Sequence, residues 1–218
     1  MAQGWRGVAA LALGLAAGWW LYVPLHELAH ALGCLATGGE VTRLEIAPEY
    51  GAAWLARWLP FVAVGSDYAG QLTGFDTGGR DSVYLATVLA PYLLTLFPGI
   101  PALLLCARRT GLAATAGFGA SLPWALAPVL SLSGDYYETG SILASRAGAA
   151  LTDEGAFAVA TWRSDDVFLL VADLAGRGAL DGVNSAGIAA GLALGILLAI
   201  ATLWLGTAMF QAITKAST

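Results

Sequence analysis

The chain is poor in charge and in the residues that build metal or disulfide frameworks. Asp, Glu, Lys and Arg make up only 11% of its 218 residues, against about 25% in a soluble globular domain. That shortage excludes an ordinary water-soluble fold. With 58% hydrophobic residues and a mean hydropathy of +0.71, the chain reads as a multi-span membrane protein folded as a single domain, 1–218, for which the lipid bilayer is the solvent. A net charge of −5 excludes a basic surface for nucleic acid. The two cysteines, Cys34 and Cys106, lie in apolar runs with no CxxC spacing. This excludes a disulfide framework, and both read as packing residues. Cys34 stands four residues after His30 and shares its helical face. With two histidines in all, no site can rest on three imidazoles.

Both histidines fall in one motif, His26-Glu27-Leu28-Ala29-His30, inside a long apolar run. On a helix, positions i and i+4 share a face, so the two imidazoles point the same way. That is the geometry of two zinc ligands, with Glu27 placed to reach a metal-bound water. A glutamate near mid-bilayer costs roughly 2.5–3.5 kcal/mol on insertion scales, which marks it as functional by default. The competing reading is a chance His-Glu pair packed in a bundle interior.

Every acidic residue except Glu27 lies in one of two long connections, 38–82 and 134–184. Arg6, Arg108, Arg109 and Lys215 lie at the opposite ends of the apolar runs. The positive-inside rule then places both termini and the 108–110 turn in the cytoplasm and both acidic loops outside, although those loops carry six arginines of their own. Arg6 followed by the Ala/Leu/Gly run to Ala17 resembles a signal peptide. Cleavage there would leave the His-Glu motif on a stub too short to span, so the first helix is expected to be retained. The Ala/Gly/Arg-rich, Lys-poor usage points to a bacterial cytoplasmic membrane.

The expected fold is an all-α polytopic membrane protein of about four transmembrane helices. A short strand or hairpin follows the first, and a small surface helix precedes the last. The spans are about Val8–Leu35, Val83–Ala107, Leu112–Ser133 and Ala186–Phe210. Gly14 and Gly18 form a GxxxG packing pair, and Gly187, Gly191 and Gly195 form a second stripe. Pro24 is expected to kink or thin the first span. Pro91, Pro98, Pro101, Pro123 and Pro128 interrupt the second and third, tolerated because neighbouring groups re-satisfy the freed backbone. Glu40–Ala47, with β-branched Val41 and Ile46, reads as a strand. Residues 54–65 are apolar but too short to span, and suggest an interfacial or re-entrant segment. Residues 65–82 read as a solvated loop, since Asp67, Asp76 and Asp81 lack EF-hand spacing. Ser164-Asp165-Asp166 precedes the apolar run Val167–Leu174 as an N-cap would.

A catalytic zinc site needs a third protein ligand, here a carboxylate. Two crossings separate the first and third spans, so they run the same way. Asp135, after the end of the third span, therefore reaches the membrane side of His30. Asp135 also stands in a capping-box relation to Glu138, for a helix from Tyr136 to Ser145. Glu40, Glu45, Glu49, Asp67 and Glu138 are the rival ligands.

These features together resemble the site-2 protease family of intramembrane zinc metalloproteases. His26-Glu27-Leu28-Ala29-His30-Ala31-Leu32 within a span is similar to the family's first motif. Gly38-Gly39-Glu40-Val41 before a strand, Ala90-Pro91-Tyr92-Leu93 in the second span, and Asp135 ahead of Gly140-Ser141-Ile142-Leu143 are similar to later features. The resemblance covers roughly residues 20–145, within a metalloprotease-like core of about 8–145; 146–218 adds a loop, the surface helix and the last span. The chain departs from the family at three points. Glycine precedes the aspartate, as Gly134, where the family has it following. Positions 127 and 130 are Ala and Leu, and Pro128 is displaced from the family's upstream proline. The chain's one asparagine is Asn184. Many family members also carry the metal nearer the cytoplasm, where the charge count here puts it outside.

The resemblance implies Zn²⁺ held by His26, His30 and Asp135, with Glu27 as general base, hydrolysing a transmembrane or membrane-adjacent peptide. The strand near Glu40–Ala47 would pair with the unwound substrate by edge addition. Two other readings stay open: a non-proteolytic membrane zinc-binding scaffold or pseudoprotease, and a small transporter using the His/Glu cluster as a relay. Substrate identity and oligomeric state are not encoded in any recognisable motif.

Overall fold

A computed structural model describes residues 4–151 and 161–216. Part of the expected acidic 134–184 loop, residues 152–160, lies outside the described residues. The chain is mostly helical with one small sheet, and it divides into two compact units, 1–126 with 205–218, and 127–204.

The first unit begins with α1 (Gly4–Ala36), which runs unbroken through Pro24. Gly38, in the left-handed region at φ 86°, ends it, and the Gly39 amide donates back to the Cys34 carbonyl at 2.9 Å. The chain continues as β1 (Glu40–Ile46), a short α2 (Ala52–Leu55), β2 (Val62–Val64) and β3 (Gly70–Asp76). The strand order is β2-β1-β3. β1 pairs in parallel with β2, Leu44 opposite Val62, and antiparallel with β3, Ile46 opposite Gly70 and Glu40 opposite Asp76.

Three expectations change here. The strand after the first span is the middle of three, paired with β3 from Glu40 to Ile46 and with β2 over Leu44–Ile46, so edge addition of a substrate is excluded over Leu44–Ile46. The 54–65 run is not one continuous element, because it holds the end of α2 and then β2. The 65–82 segment is not a loop throughout, because it holds β3. Gln71, Leu72 and Phe75 carry little strand signal among Gly, Thr and Asp. Pairing with β1 decides their conformation, since β-propensity is largely a property of the partner. The inner face of the sheet supplies Leu44 and Ile46, both fully buried, which cluster with Ala31 of α1, Ala52 and Val62. The sheet is thereby clamped against the motif-bearing half of α1. Trp20 adds an indole N–H donated to the Glu49 carbonyl.

After the sheet come α3 (Asp81–Leu89), the single turn α4 (Tyr92–Leu94) and α5 (Ile100–Ala107). The helical path breaks at Phe97 (φ −156°, ψ 119°), ahead of Pro98. Next is α6 (Leu112–Ala125), which packs along α1 at the small residues the sequence marks out. A Cβ on Gly14 would meet the Ala116 carbonyl oxygen at 2.0 Å, and one on Gly18 would meet that of Ala120 at 2.1 Å. Only glycine allows this approach. Cys106 fills space against Gly117 and Cys34 against Gly39, as the packing reading requires.

The second unit holds α7 (Ala127–Leu130), a wide turn at 132–136 that leaves helical geometry at Gly134, α8 (Tyr137–Leu151), α9 (Val167–Gly176) and the first part of α10 (Gly182–Ala216). Asp166 caps α9 as expected, accepting from the Phe168 and Leu169 amides. Tyr137, Trp162, Val167, Leu174 and Ile188 form its core. The second glycine stripe is a packing face: a Cβ on Gly187 would strike Trp162, one on Gly191 the Tyr137 ring and Ser141, and one on Gly195 the Tyr136 carbonyl.

Among the described residues, three helical stretches are long and apolar enough to cross a membrane: Gly4–Ala36, Asp81–Ala107 and Gly182–Lys215. In each, a third or less of the most apolar window is buried within the protein, 28%, 33% and 28%. The rest, including Leu13, Trp20, Leu197 and Trp204, faces outward. That much contiguous apolar surface suits lipid rather than water. The expected third span is not a single long helix. α6 stops after 14 residues, about 21 Å at 1.5 Å per residue and short of a hydrocarbon core of about 30 Å.

Candidate metal centre

His26, Glu27 and His30 sit on the half of α1 that carries the sheet. His30 is buried and His26 half-buried. The two rings are perpendicular, with centroids 4.8 Å apart, and their Nε2 atoms approach to 3.2 Å. Consecutive turns of one helix bring them together, as i,i+4 spacing predicts.

The other ring nitrogens are both anchored. His30 Nδ1 lies 2.9 Å from the Thr87 carbonyl oxygen. A carbonyl only accepts, so Nδ1 carries the hydrogen, and a neutral His30 presents a lone pair at Nε2. His26 Nδ1 lies 2.8 Å from the Tyr22 hydroxyl, which can donate or accept. If Tyr22 donates, His26 Nε2–H donates in turn to His30. If Tyr22 accepts, two lone pairs face each other across 3.2 Å, and a cation is what such a pair binds. The donor set and the anchoring of each Nδ1 by an oxygen are those of metal-ligating histidines.

Glu27, half-buried, lies beside the start of β3. A Cβ on Gly70 would fall 2.5 Å from Glu27 Cγ and 3.2 Å from its Cδ. Gly70 is the notch that lets the carboxylate-bearing chain pass the strand. Of the rival ligands, Glu45 is engaged by Arg43, whose Nε donates to Oε1 at 2.7 Å. Among the described residues, Glu40, Glu45, Glu49, Asp67 and Glu138 belong to no group of three ligand-type side chains close enough to share one ion.

Asp135 belongs to the second unit. It is half-buried in the wide turn, one residue after the break at Gly134, and its Oδ2 accepts from the Ser131 hydroxyl at 2.7 Å. That bond orients the carboxylate. Asn184, the one asparagine, is committed elsewhere: its amide donates to the Ala179 carbonyl at 2.8 Å and its oxygen accepts from Thr161.

Four site-building residues escaped the sequence reading. Tyr22 stands one turn before His26, so helical spacing alone could have found it. Ser131 stands four before Asp135, just ahead of the wide turn. Thr87 acts through its backbone and Gly70 through a missing side chain, and neither leaves a residue-type signal. In comparisons with protein-family models, curated proteins and solved structures, the chain matches none.

Proposed function

We propose that this protein is an intramembrane metallopeptidase that hydrolyses peptide bonds of membrane-embedded or membrane-adjacent substrates. His26, His30 and Asp135 would hold one Zn²⁺, and Glu27 would be the general base. The observation that carries the reading is the convergence of two imidazole Nε2 atoms at 3.2 Å, with each Nδ1 tied to an oxygen. Asp135, the carboxylate that span parity offers on the membrane side of His30, would be the anionic third donor. When bound, the metal supplies Lewis acidity, lowering the pKa of a water to about 7 and polarising a carbonyl. Glu27 accepts a proton from the attacking water as its oxygen bonds to the scissile carbon. It passes that proton to the amide nitrogen as the C–N bond breaks.

The reading includes four crossings: α1, the broken α3–α5 segment, α6 with α7, and α10. Three helices of sufficient length support it. The charge pattern supports cytoplasmic termini, in a bacterial cytoplasmic membrane. A second reading, a zinc-binding scaffold that does not cut, is favoured by one observation: Asn184 is consumed by the turn it closes, so no asparagine is available to hold substrate.

Metal analysis and peptide cleavage by purified protein decide between them. Glu27→Gln should keep the metal and abolish cleavage. His26→Ala and Asp135→Ala should lose the metal. Stoichiometric metal in His26→Ala would overturn the ligand set. Metal without cleavage of any membrane peptide by the wild type would favour the scaffold.

A further inference from the structure

We infer that Pro91 is a positioning residue that sets the tautomer of His30, an inference that rests on His30 being a metal ligand. In an α-helix the carbonyl of residue i receives the N–H of residue i+4. For Thr87 that donor would come from residue 91, and proline has none. The chain keeps helical dihedrals through Ala90 (φ −57°, ψ −40°) and Pro91 (φ −62°, ψ −21°), so no other backbone amide replaces it by a change of path. Thr87 is buried, and an unsatisfied carbonyl there would be costly. The donor it accepts is His30 Nδ1–H, at 2.9 Å across 57 residues of chain.

The consequence falls on the opposite ring nitrogen. A neutral imidazole with its hydrogen at Nδ1 has its lone pair at Nε2, the atom facing His26. A missing hydrogen on one span thus selects which nitrogen of a neighbouring span can bind a cation. A side chain also meets a freed carbonyl at Trp124, where the helical path of α6 ends at Leu126 (φ −96°, ψ 5°): the Thr95 hydroxyl donates to that oxygen at 2.9 Å. At Thr87 the incoming donor is a candidate ligand.

Pro91→Ala and Pro91→Gly test this, because each returns an N–H that competes for the Thr87 carbonyl. Nitrogen-15 NMR of ring-labelled histidine in metal-free, detergent-solubilised full-length protein reads the tautomer directly. The wild type should hold His30 as the Nδ1–H form. Both variants should lose that preference, with Zn²⁺ affinity falling about 10–100-fold. Pro101→Ala, at the start of α5, should change neither readout. An unchanged His30 tautomer in both Pro91 variants overturns the inference, whatever the metal does. A shifted tautomer in a protein that binds no divalent metal upholds the role of Pro91 and instead overturns the metal reading.

Discussion

Gly70 at the head of β3 lies so close to Glu27 that a β-carbon there would sit 2.5 Å from Glu27 Cγ. The strand and the catalytic candidate on α1 therefore share one volume. Gly70→Ala must displace either the side chain or the strand. A base moved by about 1 Å loses on the order of 100-fold in rate. On the proposed peptidase reading, cleavage by Gly70→Ala should fall by about that factor with metal content unchanged, checked by peptide turnover alongside elemental analysis. Wild-type turnover in Gly70→Ala would remove Glu27 from the base role or show the strand to be freely adjustable.

The Tyr22 hydroxyl holds His26 Nδ1 at 2.8 Å, while its ring packs edge-on to Trp124. Tyr22→Phe keeps the ring contact and deletes the hydrogen bond. Loss of such an outer partner costs roughly 10–100-fold in metal affinity. Competition with a zinc chelator should place Tyr22→Phe in that range, with thermal stability little changed. Equal affinity would mean that the phenol does not orient His26.

Gly18 meets the Ala120 carbonyl at a distance no β-carbon tolerates, 2.1 Å. Gly18→Val therefore forces α1 and α6 apart. Overpacking of this kind costs roughly 1–3 kcal/mol, and a backbone obstacle puts Gly18→Val at the upper end. The unfolding midpoint in detergent should drop accordingly. The same change at Ala17, exposed on the neighbouring position of the helix, should leave the midpoint nearly unaltered.

Asp166 accepts the first amides of α9, from Phe168 at 2.7 Å and Leu169 at 3.1 Å. Asp166→Ala should cost about 1 kcal/mol, and hydrogen exchange at residues 168–170 should rise. Because the loss is local, metal content should not change. A fall in metal with Asp166→Ala would show that α9 supports the centre after all.

The parts of this protein that were legible in the sequence are those fixed by covalent spacing. His26 and His30 share a face because a helix repeats every 3.6 residues. Gly14 and Gly18 mark a helix contact because nothing but hydrogen fits there, and Asp166 caps α9 because its carboxylate reaches amides two and three residues on. What stayed hidden depends on groups brought from far along the chain. Gln71, Leu72 and Phe75 form a strand because β1 offers them a ladder, not because their own composition asks for one. β1, expected to offer an edge, is paired with β3 from Glu40 to Ile46 and with β2 over Leu44–Ile46. Glu27 depends on an absent side chain at Gly70.

The His-Glu motif, the apolar spans and the glycine stripes were thus determined by the sequence itself, through helical periodicity and the cost of placing charge in lipid. The partner of His30, and with it the nitrogen that His30 presents, was decided only by the tertiary structure. A backbone carbonyl left without its donor has no residue-type signature until the fold places an imidazole 2.9 Å away.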